Sequence, residues 1–161
     1  MFRQMRRARQ LLPEADCAEI LRTATSGVLA VNGDGGYPYA VPLNFVYDGD
    51  RIYFHCAVSG HKLDAIKRDS RVSFCVVGMD VTVPERFTSH YKSVIVFGRA
   101  EPVTDEAEKR SAIEKLAAKY SPDESMQSRA AEIDAFWDRL VMLRLSIEHI
   151  SGKQAKELVK Q

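Results

Sequence analysis

Residues 39–57 read Tyr-Ala-Val-Pro-Leu-Asn-Phe-Val-Tyr, then Asp-Gly-Asp, then Arg-Ile-Tyr-Phe-His-Cys-Ala, and no other stretch restricts the fold as much. Tyr39, Val41, Leu43, Phe45 and Tyr47 fall on every second position, the period of a half-buried strand. Asp48-Gly49-Asp50 supplies turn chemistry, since glycine takes a positive φ at little cost. Beyond it Ile52, Phe54 and Cys56 share one face, and Tyr53, His55 and Ala57 the other. The pattern predicts a β-hairpin with side chains to place on both faces.

A polar corner, Ser59-Gly60-His61-Lys62, follows directly. Ser59 is placed to cap a helix running to about Arg68, with Leu63 and Ile66 inward and Lys67 and Arg68 in water. A helix start presents unpaired N–H groups and the positive end of the helix dipole, and His61 and Lys62 add to it. Such a corner suits a phosphate. On these residues alone, an ordinary capped helix with a solvated Lys62 accounts for the pattern equally.

The rest of the chain extends the same plan. A helix is expected from about Pro13 to Thr23, with Ala15, Ile20 and Leu21 on its apolar side, and a first strand from Ser26 to Asn32. Asn32 to Gly36 is a loop or turn. A strand from Val72 to Gly78, a loop through Pro84 and a long strand from about Tyr91 to Glu101 come next. A helix from Thr104 to Tyr120 carries Ile113, Leu116 and Ala117, and Ser121-Pro122 ends it. Residues 123–138 read as a second helix closing near Phe136 and Trp137. The last strand, Arg139 to Ile150, alternates Val141, Leu143, Leu145 and Ile147 on one face. There is no internal repeat or low-complexity linker, so residues 1–161 are expected to form one domain. Hairpin-linked strands with helices at corners and ends indicate a mainly β antiparallel barrel rather than a doubly wound parallel sheet. No Gly-x-Gly-x-x-Gly follows a strand, which counts against a dinucleotide-binding unit.

Composition narrows the classes of function. The chain has 161 residues, 45% hydrophobic and 28% charged, with a net charge of +1. That balance gives no general attraction to nucleic acid or to a membrane surface. Arg3, Arg6, Arg7 and Arg9 lack interleaved aromatics, so they read as a solvated arm or one lying across a dimer partner. The charged start is not followed by an apolar segment of signal-peptide type, and no stretch is long enough to span a bilayer. A cytoplasmic protein is expected. Cys17, Cys56 and Cys75 contain no Cys-x-x-Cys pair, which argues against a disulfide framework and a zinc site. Cys56 and Cys75 sit in strand patterns as small apolar residues. The histidines, at 55, 61, 90 and 149, lack zincin spacing, and there is no Gly-x-Ser-x-Gly elbow or evident carboxylate pair.

Read together, several blocks in order carry a family resemblance: RRARQLLPEADCAEIL, YPYAVPLNFVY, IYFH, SGHKLDAIK, VSFCVV, YKSVIVFGRAE, KYSP and IEHISGK. Over nearly its whole length the chain resembles the nitroimidazole-resistance (Nim) branch of the pyridoxamine 5′-phosphate oxidase-like flavoproteins. The resemblance implies an antiparallel Greek-key split β-barrel, FMN bound at the interface of a homodimer, and flavin redox chemistry. It places Val41, Pro42, Leu43 and Asn44 beside the isoalloxazine, with His55, Cys56 and Ala57 leading to the phosphate at Ser59, His61 and Lys62. The partner subunit, through its 91–101 strand or the Trp137 region, would close the other side. Asn44 and His55 have plainer readings as satisfied strand or barrel residues, and Trp137 as core or interface.

True pyridoxamine phosphate oxidases carry an Arg-Lys pair before the short helix, a role partly kept by His61-Lys62. They also have basic residues at both ends of the strand where this chain has Ala40 and Phe45, so oxidation of a phosphorylated vitamin is not expected. The expected activity is an FMN-dependent oxidoreductase that reduces small electrophiles such as nitroimidazoles. Electrons would come from a nicotinamide nucleotide or a protein donor, with His61 as the candidate for substrate contact or proton delivery. A non-catalytic flavin-binding module and a haem-binding split barrel are the rival readings.

Overall fold

The computed structural model describes residues 1–159. Its strands are β1 (Gly27–Asn32), β2 (Pro38–Leu43), β3 (Val46–Tyr47), β4 (Arg51–Ala57), β5 (Arg71–Val83), β6 (Thr88–Pro102) and β7 (Leu140–Gln154). Its α-helices are α1 (Glu14–Thr23), α2 (His61–Arg68), α3 (Glu106–Tyr120) and α4 (Met126–Phe136). The strands form one 7-stranded sheet in the order β2-β1-β5-β6-β7-β4-β3, and every neighbouring pair is antiparallel.

That order has a geometric consequence. The edge strands β2 and β3 are consecutive in the chain, with only Asn44 and Phe45 between them. The sheet must therefore curl until its edges meet, yet no ladder of hydrogen bonds joins them: the barrel is closed by the covalent chain and is split along that line. This corrects the expected hairpin, in which one strand from Tyr39 to Tyr47 would pair throughout with residues 51–57. Only Val46 and Tyr47 pair with β4, whereas residues 38–43 pair with β1, from Asn32 opposite Pro38 to Gly27 opposite Leu43. The alternation of apolar residues survives the change of partner because it reports which face is buried, not which strand lies alongside.

The barrel interior is the main core. Leu29 and Val31 of β1, Ile52 and Phe54 of β4, Phe74 and Val76 of β5, Val94 and Val96 of β6, and Leu143 and Leu145 of β7 are buried there. Phe45, at the split, is fully buried and meets Phe74 edge to face at 4.9 Å, and Phe54 meets Phe74 likewise at 5.0 Å. α1 covers one end with Cys17, Ile20 and Leu21, while Ala15, expected on that side, is exposed.

The end of α3 secures the split. The N–H of Phe45 donates to the Tyr120 hydroxyl at 2.9 Å, and that hydroxyl donates to the Thr25 carbonyl at 2.7 Å. Lys119 Nζ donates to the carbonyls of Ala24 (2.7 Å) and Phe45 (3.0 Å) and lies 4.1 Å over the Phe45 ring. Burial pushes the Lys119 pKa down, and the carbonyls and ring face replace part of the lost hydration. Backbone groups that a closed barrel would satisfy by strand pairing are satisfied here by side chains.

Other boundaries differ from expectation for local reasons. β5 runs on to Val83 where a loop was expected, because Val77, Met79, Val81 and Val83 continue a strand ribbon past an irregularity between Val77 and Met79. A second register shift lies between Phe97 and Gly98. A Cβ on Gly98 would sit 2.1 Å from the Ser146 carbonyl oxygen, so only glycine permits this approach. α3 begins at Glu106, where the Asp105 side chain accepts from the Glu108 N–H at 2.7 Å.

α3 and α4 pack outside the barrel over a second cluster that includes Tyr53, Val103, Ile113, Leu116, Ile133 and Met142. At its edge Glu108 accepts from Tyr53 Oη at 2.8 Å and from Arg144 at 2.7 Å, and Arg144 also pairs with Glu101. Burial opposes ionisation of Glu108, but the hydrogen bonds from Tyr53 and Arg144 outweigh it and hold the carboxyl below its ordinary value.

Two stability measurements follow. Tyr120→Phe leaves the Phe45 N–H unpartnered and should cost about 1–3 kcal/mol in urea unfolding; an unchanged midpoint would show that the split closes without it. Because the folded pKa of Glu108 is lowered, its ionised form contributes stability that is present above the unfolded value and lost as pH falls through the folded one. The stability gap between the native protein and Glu108→Gln should therefore narrow on acidification below the ordinary value of 4.5, and a gap independent of pH would rule the ionised network out as the cause.

Candidate functional site

β4 ends at Ala57, and Val58, Ser59 and Gly60 lead, exposed, into α2. Ser59 does not cap the helix, contrary to expectation. The N-cap is Gly60, at φ 140 and ψ 164, and no side chain bonds to the first turn. This conformation is essentially open only to glycine. The Gly60 carbonyl accepts from the N–H groups of Leu63 (2.9 Å) and Asp64 (3.2 Å), which leaves the amides of His61 and Lys62 ahead of the first intrahelical bonds. The resulting helix start has free N–H groups, dipole and cation together, an arrangement that favours an anion.

The two basic residues of the corner differ in setting. The His61 ring stacks on Tyr39, with centroids 4.2 Å apart, and its Nε2 lies 3.5 Å from Asp34 Oδ2. Asp34 in turn accepts from Arg68 at 2.7 Å, and Asn32 donates to Asp69 at 2.8 Å. The loop between β1 and β2 is thus strapped to both ends of α2. Sequence reasoning missed Asp34, Tyr39 and Arg68, because no local pattern links a loop carboxylate to a helix that follows only after three further strands. Lys62 is half-buried and near Cys56: burial raises the Cys56 thiol pKa, and the Lys62 charge opposes that rise.

Alternation on β4 sends His55 and Ala57 away from the barrel core. Together with Cys56 they line a cavity of about 800 Å³ that continues between α3 and α4. Its walls include Ile113, Leu116, Ala117, Ile133, Phe136 and Leu140, and polar groups from Ser121 to Arg139 form its rim.

The expected ring-side segment lies on β2 and its exit. Val41 and Leu43 are half-buried against the core, so they offer a ligand only their backbone, while Pro42 and Asn44 are exposed. β2 is a sheet edge paired only with β1, which leaves backbone polar groups on its outer side free to meet a heterocycle's polar edge. Asn44 donates its amide to the Thr25 carbonyl at 2.8 Å. Trp137 does not line the cavity; it is half-buried beside the second cluster, with Lys109 Nζ 4.1 Å from its ring centroid.

Among the described residues, no group of three or more His, Cys, Asp or Glu side chains could hold a metal ion. Among the described residues, no helix is long and apolar enough to cross a membrane. The donor set fits a flat ligand carrying a phosphate: an uncapped helix start with Lys62 for the anion, and the free edge of β2, joined to it through the Tyr39–His61 stack, for a ring.

A split antiparallel barrel with such a corner defines the class of protein. The chain belongs to the pyridoxamine 5′-phosphate oxidase family, a flavin-binding family whose sequence profile matches residues 13–154. Comparison with curated proteins finds no match. Among solved structures, a conserved hypothetical protein from Mycobacterium tuberculosis superposes with a TM-score of 0.82 at 19% identity, over 98% of this chain and 94% of that one. A candidate 5-nitroimidazole antibiotic resistance protein from Bacteroides thetaiotaomicron gives 0.76 at 22%, over 89% and 86%. A FAD-binding protein from Mesorhizobium loti gives 0.62 at 26%, over 91% and 98%.

The corner's geometry is testable without knowing the ligand. Gly60→Ala forces a side chain into a conformation costing about 1–3 kcal/mol, and should lower the melting temperature and weaken phosphate-dependent cofactor binding together. Unchanged binding in a variant that melts normally would show that the corner does not depend on this turn.

Proposed function

We propose that the chain is an FMN-dependent oxidoreductase, working as a homodimer, that reduces small electron-poor compounds such as nitroimidazoles. The observation that carries this reading is the uncapped start of α2, with the amides of His61 and Lys62 and the Lys62 ammonium beside the cavity-lining residues of β4. One helix start with one lysine matches a terminal monophosphate, which favours FMN over FAD. Bound there, FMN would supply two-electron redox chemistry. The chain's part is to hold the phosphate with Ser59, His61 and Lys62, to meet the ring with the free edge of Val41–Asn44, and to keep water from the acceptor with the apolar cavity. Reduction of a nitro group to nitroso takes two electrons and two protons and releases water; the electrons would enter from a nicotinamide nucleotide or a protein donor.

His61 stands with the phosphate corner, against Tyr39 and Asp34, and does not line the cavity. That favours an anion-holding role over proton delivery. The dimer reading is supported by an apolar row on the outer face of the sheet: Val28, Cys75 and Ile95 lie opposite one another on β1, β5 and β6, with Val77 and Phe97 alongside. Val28, Val77, Ile95 and Phe97 are all exposed, and contiguous apolar surface of this kind commonly marks an interface.

Several measurements decide between the readings. FMN should bind more tightly than riboflavin in a fluorescence titration, and Lys62→Ala should weaken FMN by about 1.5–3 kcal/mol; equal affinities for the two flavins would sink the phosphate corner. Reduced flavin in the site should be reoxidised by metronidazole, in anaerobic stopped flow, faster than free reduced FMN. No enhancement would reduce the function to flavin binding. His61→Ala should lower the rate only through lost FMN, whereas a lower rate at full occupancy would restore its role in proton delivery. A red-brown protein with a haem spectrum would overturn the cofactor assignment, and a stable flavin-bound monomer in light scattering would overturn the dimer.

A further inference from the structure

We infer that the cavity between β4 and the α3–α4 hairpin binds an uncharged molecule with an apolar body of at least two fused aromatic rings, and that a single nitroimidazole ring underfills it. The ligand's role as electron acceptor rests on the flavin reading above, whereas its binding follows from the cavity alone. At about 800 Å³ the space falls in the range of pockets for drug-sized ligands, roughly 300–1,000 Å³, well beyond what one five-membered heterocycle fills.

The walls set the chemistry. α3 presents Ile113, Leu116 and Ala117 at i, i+3 and i+4, so they form one stripe facing the space. Ile133 and Phe136, at i and i+3 on α4, face them, and Leu140 of β7 completes the lining. Ile113, Leu116 and Ile133 are only 7%, 6% and 5% exposed, whereas Phe136, at 47%, remains largely open to solvent. A small polar ring leaves much of this wall wet, while a fused-ring body covers it and removes apolar area from water. The ionisable side chains of the rim cancel: Arg129 and Arg139 stand with Glu124 and Glu132. The cavity therefore selects by apolar bulk and not by net charge, with Ser121 able to donate to a polar substituent while the Ser128 hydroxyl already donates to Glu124 at 3.1 Å.

The test compares compounds that share a nitro group and differ in body. In equilibrium dialysis against the purified, flavin-loaded protein, 1-nitronaphthalene should bind about tenfold or more tightly than metronidazole. Ala117→Trp, which fills the space from α3, should remove most of that preference. Phe136→Ala, at a solvent-exposed position, should weaken 1-nitronaphthalene several-fold and decides the matter if the tryptophan variant fails to fold. Equal affinity for the two compounds would overturn the inference, as would a preference unchanged in a folded variant. Tight binding of 1-nitronaphthalene without its reduction would uphold the site's ligand class and overturn the acceptor role taken from the flavin reading.

Discussion

The structure depends on how Phe45 is held. The chain passes from one edge of the sheet to the other across Asn44 and Phe45, at the one place where the barrel has no ladder of hydrogen bonds. Burying an unpaired backbone amide and carbonyl there would be costly. Tyr120 and Lys119 meet them instead, reaching in from the end of α3. The helix is thereby tied to the barrel at its C-terminal end, and the ion-paired cluster around Glu108 ties it near its start. With both ends anchored, α3 holds one wall of the cavity at a set distance from β4.

The start of α2 is built on a different balance. A capped helix would have spent its first amides on its own chain, and the Gly60 turn leaves those of His61 and Lys62 uncapped by any side chain. The neighbouring loop then contributes through Asp34, which is gripped by Arg68 and faces His61. Rigidity comes from these long-range contacts, and free donors come from the absence of a local cap. A preorganised anion site requires both, since donors that must first be ordered or uncapped bind less tightly.

The same division explains what surrounds the site. The inner face of the sheet is filled by its own side chains. The candidate ligand contacts lie on the outward positions of β4 with the inward Cys56 near its end, on the free edge of β2, at the start of α2 and on the helices that shield β4. The apolar row on β1, β5 and β6 lies outside as well, on strands that none of the α3–α4 wall covers.

The sequence by itself determined the strands, their buried faces and the basic corner. Period-2 alternation and the Asp48-Gly49-Asp50 turn follow from local chemistry, and Leu63 and Ile66 face inward because the helical period allows little else. The family followed from blocks in order. Tertiary structure alone decided that Tyr39–Tyr47 divides between two partners, because alternation reports a buried face and is silent about the neighbouring strand. It decided that Gly60, not Ser59, starts α2, since a serine's preference for capping yields to the backbone path out of β4. It also joined Asp34 to His61 and Tyr120 to Phe45, contacts between residues distant in the chain that no local pattern encodes. The cavity belongs to this second kind: Ile113, Leu116 and Ala117 were visible as the apolar side of one helix, but the space they line exists only because α3 and α4 are fixed apart against β4.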